Sequence, residues 1–198
     1  KPRTNTIQPN DLKKWFDATN NLSSHNNNLI RNNVSSTVSD LLIFILFTGL
    51  RKSEALGLLW EDVDFENAHF TVRATKNNSD LNLPLTTFTN DLLLKRKIIT
   101  ESQYVFTGKD GVQQLDNPYK QIKKVNEKSG VKFTMHDLRR TFTTIASSLE
   151  IQLHVVQLLT NHSPTDVTLK HYYQPSIETL RKPMQQINDY ILEKVNGV

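Results

Sequence analysis

Two short stretches place cationic side chains where they could grip a phosphate. In KFTMHDLRRTF, His136 and Arg139 stand one helical turn apart, and Thr134 and Asp137 form a Thr-x-x-Asp variant of the capping box. That box predicts a helix start just before His136, where backbone amides without helical partners attract anions. An imidazole and a guanidinium at that end make a phosphate cradle; the plainer reading is a capping histidine and a surface arginine. In FTGLRKSEALGL, Arg51 follows a break at Gly49 and Glu54 falls one helical turn later. A guanidinium fixed by a carboxylate is a rigid fork for two phosphate oxygens, although the same spacing also suits an exposed ion pair of small energetic value.

Two further stretches could move a proton and supply a nucleophile. Lys76 lies where a strand gives way to a polar turn, from which it could reach into a groove and deliver a proton or simply stay solvated. The segment LLTNHSPTDVTLKHYYQP contains His162 just before a Ser-Pro turn, able to donate to a phosphate oxygen, and then the adjacent pair Tyr172 and Tyr173. A polar segment with two neighbouring aromatics raises the question of which ring, if either, does chemistry. No H-E-x-x-H motif or carboxylate cluster offers metal-ligand spacing, so neither a metal nor another cofactor is expected.

The elements that would hold these residues are readable from periodicity. Asn10 is a plausible cap for a helix carrying Leu12, Trp15 and Phe16 on one face, and the asparagine-rich stretch from Asn20 to Asn33 reads as a solvated loop. An apolar helix runs from Ser35 to a stop at Gly49, and a second, short helix starts near Arg51. HFTVRA, then KNNSD, then LNLPL between His69 and Leu85 is a β-hairpin pattern. After Tyr119 the chain reads as helices broken at Gly130, at Asn161 to Pro164 and at Pro175; in one of them Leu138, Phe142, Ile145 and Leu149 form a buried stripe. The expected fold class is therefore mainly α with a small antiparallel β-sheet or hairpin, an α+β architecture.

With 198 residues and 37% hydrophobic content, the chain can form one domain with a core. LLIFILF, from Leu41 to Phe47, is far shorter than the roughly 20 apolar residues of a bilayer span, so it is a core helix and no membrane partner is expected. The chain has no cysteine and Lys1 opens no leader-like segment, which points to a cytoplasmic protein. A net charge of +4 and a pI near 9.2 tilt slightly toward a polyanionic partner such as nucleic acid.

In order and spacing, these residues resemble the tyrosine recombinase family, the phage integrases and related site-specific recombinases, over about residues 35 to 175. The family's T-G-x-R-x-x-E motif is matched by Thr48, Gly49, Arg51 and Glu54, its hairpin lysine by Lys76, and its H-x-x-R motif by His136 and Arg139. The Leu-Gly-His triplet that follows stands here as Thr160, Asn161 and His162, with asparagine, which also tolerates a left-handed backbone, in place of glycine. Of the family's nucleophile positions, nine or ten residues beyond that histidine, the first is His171 and the second is Tyr172. Val167 and Thr168 resemble the V-T-x-x-x-Tyr register of phage-type integrases, which favours Tyr172 over Tyr173.

The resemblance implies a tyrosine recombinase catalytic-domain fold and metal-free transesterification through a 3′-phosphotyrosyl DNA intermediate. Arg51, Arg139 and His162 would stabilise the phosphate oxygens, Lys76 would protonate the leaving oxygen, His136 would act as a base or as a hydrogen bond to the phosphate, and Glu54 would orient Arg51. A type IB topoisomerase-like enzyme that relaxes supercoils and a catalytically inactive DNA-binding regulator are the competing readings. The implied organisation is a linker remnant over 1–9, the catalytic domain over 10–175, and a C-terminal helix over 176–198 that packs in cis or on a neighbouring subunit. The implied partner is double-stranded DNA carrying attachment sites, with a homotetramer on DNA for the full-length protein and a monomer for this fragment. The setting would be the cytoplasm of a bacterial cell or a phage-infected host.

Overall fold

The computed structural model describes residues 5–22, 34–73, 80–161 and 176–197. The elements run α1 (Pro9–Asn20), α2 (Val34–Thr48), α3 (Lys52–Leu56), a 3-10 turn (Trp60–Asp62), β1 (Val63–Asp64), β2 (His69–Val72) and β3 (Leu81–Pro84), then α4 (Thr87–Ile99), α5 (Tyr119–Ser129), α6 (Met135–Ser148), α7 (Leu153–Leu159) and α8 (Ile177–Asn196). The mainly helical α+β architecture expected from the sequence is the one observed.

Helix α2 is the centre of the core because it is apolar on every side. From Leu41 to Thr48 each residue is buried, so the helix must be surrounded by other elements, and α1, α3, α4, α6 and α8 pack around it. Phe44 meets the rings of Phe70 and Phe106 at 5.4 and 5.6 Å, and Phe47 stacks on Phe88 at 4.2 Å. The helix stops at Gly49, whose φ of +70° is the left-handed conformation that ends many helices. Arg51 is thereby delivered at the exit of the most buried helix of the core.

Helix α6 begins as its capping box predicts. The Thr134 hydroxyl accepts from the Asp137 N–H at 3.3 Å, and the Asp137 carboxylate accepts from the Thr134 N–H at 2.9 Å. Leu138, Phe142 and Ile145 are buried, while Leu149, just past the helix end, is half-buried against the core. Helix α1 starts two residues earlier than expected, with Gln8 rather than Asn10 at the cap and Pro9 in its first turn, where a missing N–H costs nothing. Within the stretch read as a linker, Ile7 is buried and its N–H donates to Thr141 Oγ1 at 2.9 Å, so this part of the chain is packed on α6.

The hairpin pattern is β2 and β3, antiparallel with Phe70 opposite Leu83 and Val72 opposite Leu81. The two-residue strand β1 adds a third strand through Val63 opposite Phe70; a strand that short leaves no alternation to read. Helix α4 is a finding that the periodicity did not indicate: Thr86 caps it by accepting from the Thr89 N–H. Helix α8 buries Leu180, Met184, Ile187, Ile191 and Val195, and its Asn188 donates to the Phe47 carbonyl while accepting from Thr86 Oγ1, both at 2.7 Å. Among the described residues no helix is long and apolar enough to cross a membrane.

Candidate active site

Arg51 is the cap residue of α3, and Glu54 holds it at two points. One Glu54 oxygen accepts from the Arg51 backbone N–H at 2.7 Å, and the other accepts from Arg51 Nη1 at 2.7 Å. The carboxylate is nearly buried, whereas the arginine side chain is about one third exposed. The pair is thus an anchored fork with one accessible side, not a solvated surface pair. Two bonds to one carboxylate restrict both the backbone and the guanidinium of Arg51, which removes much of the rotamer entropy that makes ordinary surface pairs weak.

Arg139 enters the same region from the first turns of α6 and is buried. Its Nη1 donates to the Gly49 carbonyl at 2.6 Å, and its Nη2 donates to the Thr160 carbonyl. Burial, reinforced by the charge of Arg51 and partly offset by Glu54, pushes the Arg139 guanidinium down to about 10 from its ordinary value. It remains a cation at neutral pH. That mutual repulsion is the electrostatic sign of two guanidiniums held close together.

The turn after α7 links the two arginines. Thr160 supplies the carbonyl that receives Arg139, and the next carbonyl, that of Asn161, accepts from both Nη1 and Nη2 of Arg51 at 3.1 Å. The Asn161 amide then donates to Glu54 Oε1 at 3.0 Å. Asn161 has φ +50°, so it does adopt the left-handed conformation in which asparagine can replace glycine.

Of the expected site residues, the structure brings together Arg51, Glu54 and Arg139. His136 is exposed in the first turn of α6, one turn before Arg139, and lines a groove of about 560 Å³ together with Lys52, Tyr119 and Met135. Lys76, His162, Tyr172 and Tyr173 lie outside the described residues. Lys76 belongs to the connection between β2 and β3, and His162 directly follows Asn161 in the chain. The contributions that sequence reasoning missed are the carbonyls of Gly49, Thr160 and Asn161 and the Asn161 amide. Only the amide had a visible signal, an asparagine where the triplet has glycine.

The arrangement sets a buried and a one-third-exposed guanidinium on consecutive carbonyls of one turn, a pair of cations suited to an anion. Residues 5–178 match the model of the phage integrase family. The prophage integrase IntF of Escherichia coli (strain K12) is 28% identical over 198 residues, covering 95% of this chain and 39% of that protein. The tyrosine recombinase XerA of Saccharolobus solfataricus is 33% identical over 144 residues, covering 69% of this chain and 46% of that protein. The chain thus spans less than half the length of either relative. Among solved structures, the integrase of transposon Tn1549 in complex with transposon right end DNA superposes with a TM-score of 0.67 at 19% identity, over 94% of this chain and 67% of that one.

Proposed function

This chain belongs to the phage integrase family and has the fold of a tyrosine recombinase catalytic domain, and we propose that it is the catalytic portion of a site-specific DNA recombinase. The observation that carries the reading is the arginine pair. Arg51 and Arg139 are fixed by consecutive carbonyls of one turn, and the charge of Arg51 helps hold Arg139 below its ordinary value. A phosphodiester placed between them would relieve that repulsion and receive preorganised charge as more negative charge develops in the transition state.

The reaction is an exchange of phosphodiester bonds. The Tyr172 hydroxyl loses its proton and attacks the scissile phosphorus; the bond from phosphorus to the 5′-oxygen breaks, and Lys76 protonates that oxygen to give a free 5′-hydroxyl. The protein is left joined to DNA by a 3′-phosphotyrosyl ester. Attack on that ester by the 5′-hydroxyl of a partner strand completes the exchange, and no nucleotide is consumed because the ester keeps the bond energy. Arg51, Arg139 and His162 bind the nonbridging oxygens, His136 serves as base or hydrogen-bond donor, and Glu54 orients Arg51. The substrate is duplex DNA carrying attachment sites, which the full-length protein pairs as a homotetramer in the cytoplasm of a bacterial cell or a phage-infected host.

The test is to incubate the full-length protein with a nicked suicide duplex carrying its candidate attachment site, so that cleavage releases a short fragment and traps the ester. A covalent protein–DNA adduct is expected, and it should be lost on Arg139→Ala. Absence of the adduct from wild-type protein would overturn the reading in favour of a noncatalytic DNA binder.

A further inference from the structure

Asn161 does more in this site than its backbone conformation requires. Glycine would satisfy a φ of +50° with less strain, yet it would leave Glu54 without a third donor. The Asn161 amide donates to Glu54 Oε1 at 3.0 Å, and that same oxygen accepts from Arg51 Nη1 at 2.7 Å. The Asn161 carbonyl meanwhile accepts from Nη1 and Nη2 of Arg51 at 3.1 Å, and Glu54 Oε2 accepts from the Arg51 backbone. Arg51, Glu54 and Asn161 therefore form a closed ring of hydrogen bonds that joins the start of α3 to the turn after α7.

We propose that Asn161 is a positioning residue, whose side-chain amide pins Glu54 and thereby fixes the angle at which Arg51 meets the scissile phosphate. The inference rests on the recombinase reading above. Without the amide, Glu54 is held only by Arg51 itself, so carboxylate and guanidinium can shift together about soft side-chain torsions. With the amide in place, Oε1 is also tied to the turn after α7, so the pair is fixed relative to that turn. The preceding carbonyl, from Thr160, holds Arg139, so the same turn sets the two arginines in register. Charge stabilisation by a preorganised group depends on such fixed direction, because reorientation during the reaction would cost part of the benefit.

Asn161→Gly is the informative variant, since it keeps the left-handed turn and removes only the amide. In the full-length protein, the single-turnover rate of adduct formation on the nicked suicide duplex should fall by roughly ten- to a hundredfold, the worth of a hydrogen bond to a charged group. The loss should shrink on a duplex with a methylphosphonate at the scissile position, where a neutral phosphorus centre makes little use of Arg51. In the DNA-free protein, nitrogen resonances of the Arg51 guanidinium should report faster rotation in Asn161→Gly than in wild type. An unchanged rate, or equal losses on both substrates with unchanged Arg51 rotation, would overturn the positioning role. If wild-type protein forms no adduct at all, the recombinase reading fails, and the arginine resonances alone decide whether Asn161 pins the pair.

Discussion

A β-carbon on Gly49 would meet Cδ1 of Phe142 at 2.5 Å, because α2 ends and α6 crosses at the same point. Phe142 is completely buried and cannot swing away, and Gly49 has φ +70°, a conformation that L side chains rarely adopt. The carbonyl of this glycine also receives Arg139 at 2.6 Å. The helix crossing and the placement of the buried arginine are consequently one structural requirement.

Gly49→Ala should therefore destabilise the protein by about 2–4 kcal/mol, the sum of a left-handed backbone penalty and overpacking. Urea denaturation measures it. Gly49→Ala combined with Phe142→Leu should lose less than the sum of the two single losses, because the smaller side chain relieves the clash while the backbone strain persists. Strict additivity would show that the ring contact contributes nothing.

Arg139→Lys tests the electrostatics of the buried site through pH. Burial and Arg51 push Arg139 down to about 10, which leaves it protonated at neutral pH. A lysine starts from about 10.4, lower than arginine, and the same surroundings would depress it further, toward the mildly alkaline range. The cationic fraction falls as pH rises through the folded-state value, so the variant should keep part of its adduct-forming rate near neutrality and lose it in mildly alkaline solution. Wild-type protein should show no loss from Arg139 over that range. A variant profile parallel to wild type would mean that the site does not depress the charge of residue 139.

The starts of α3 and α6 were legible in the sequence because they are local: Thr134 and Asp137 cap α6 as written, and Glu54 binds Arg51 within one turn. The C-terminal helix and the β2–β3 hairpin were legible for the same reason. Helix α4 was not, although Thr86 and Thr89 form a capping pair there. Its buried face includes Arg96, which is paired with Asp40 at 2.9 Å, so a charged residue occupies a core position and breaks the apolar pattern. The links between the arginines were hidden more deeply. Arg139 is held by the carbonyls of Gly49 and Thr160, and any residue type supplies a carbonyl. Only the fold shows which ones converge.

Lys76→Ala should slow cleavage severely, and a duplex with sulfur at the bridging 5′ position should restore it, because a thiolate leaves without needing a proton. The motive is the position of Lys76 in the chain, in the connection between β2 and β3. Single-turnover adduct formation on the two duplexes measures the effect. Equal defects on both would remove Lys76 from the general-acid role and leave it as a phosphate contact.

Tyr172→Phe should abolish the covalent protein–DNA adduct, while Tyr173→Phe should leave it formed. Two features of the sequence favour Tyr172: its spacing from His162 and the Val167 and Thr168 register before it. The sequence TDVTLKHYY reads as helical, and adjacent side chains on a helix point about 100° apart, so only one of the two rings is expected to face the phosphate. His162 directly follows the Asn161 turn that holds both arginines, so spacing counted from His162 is spacing counted from the anion site itself. The ring that does not face the phosphate is expected to pack against the domain and anchor a segment that must deliver a hydroxyl, so Tyr173→Phe should lower rate or stability only modestly. The readout is a denaturing gel of labelled nicked duplex after incubation with the full-length variants. An adduct that survives Tyr172→Phe and vanishes with Tyr173→Phe would reverse the assignment, and one that survives both substitutions would exclude these tyrosines as the nucleophile.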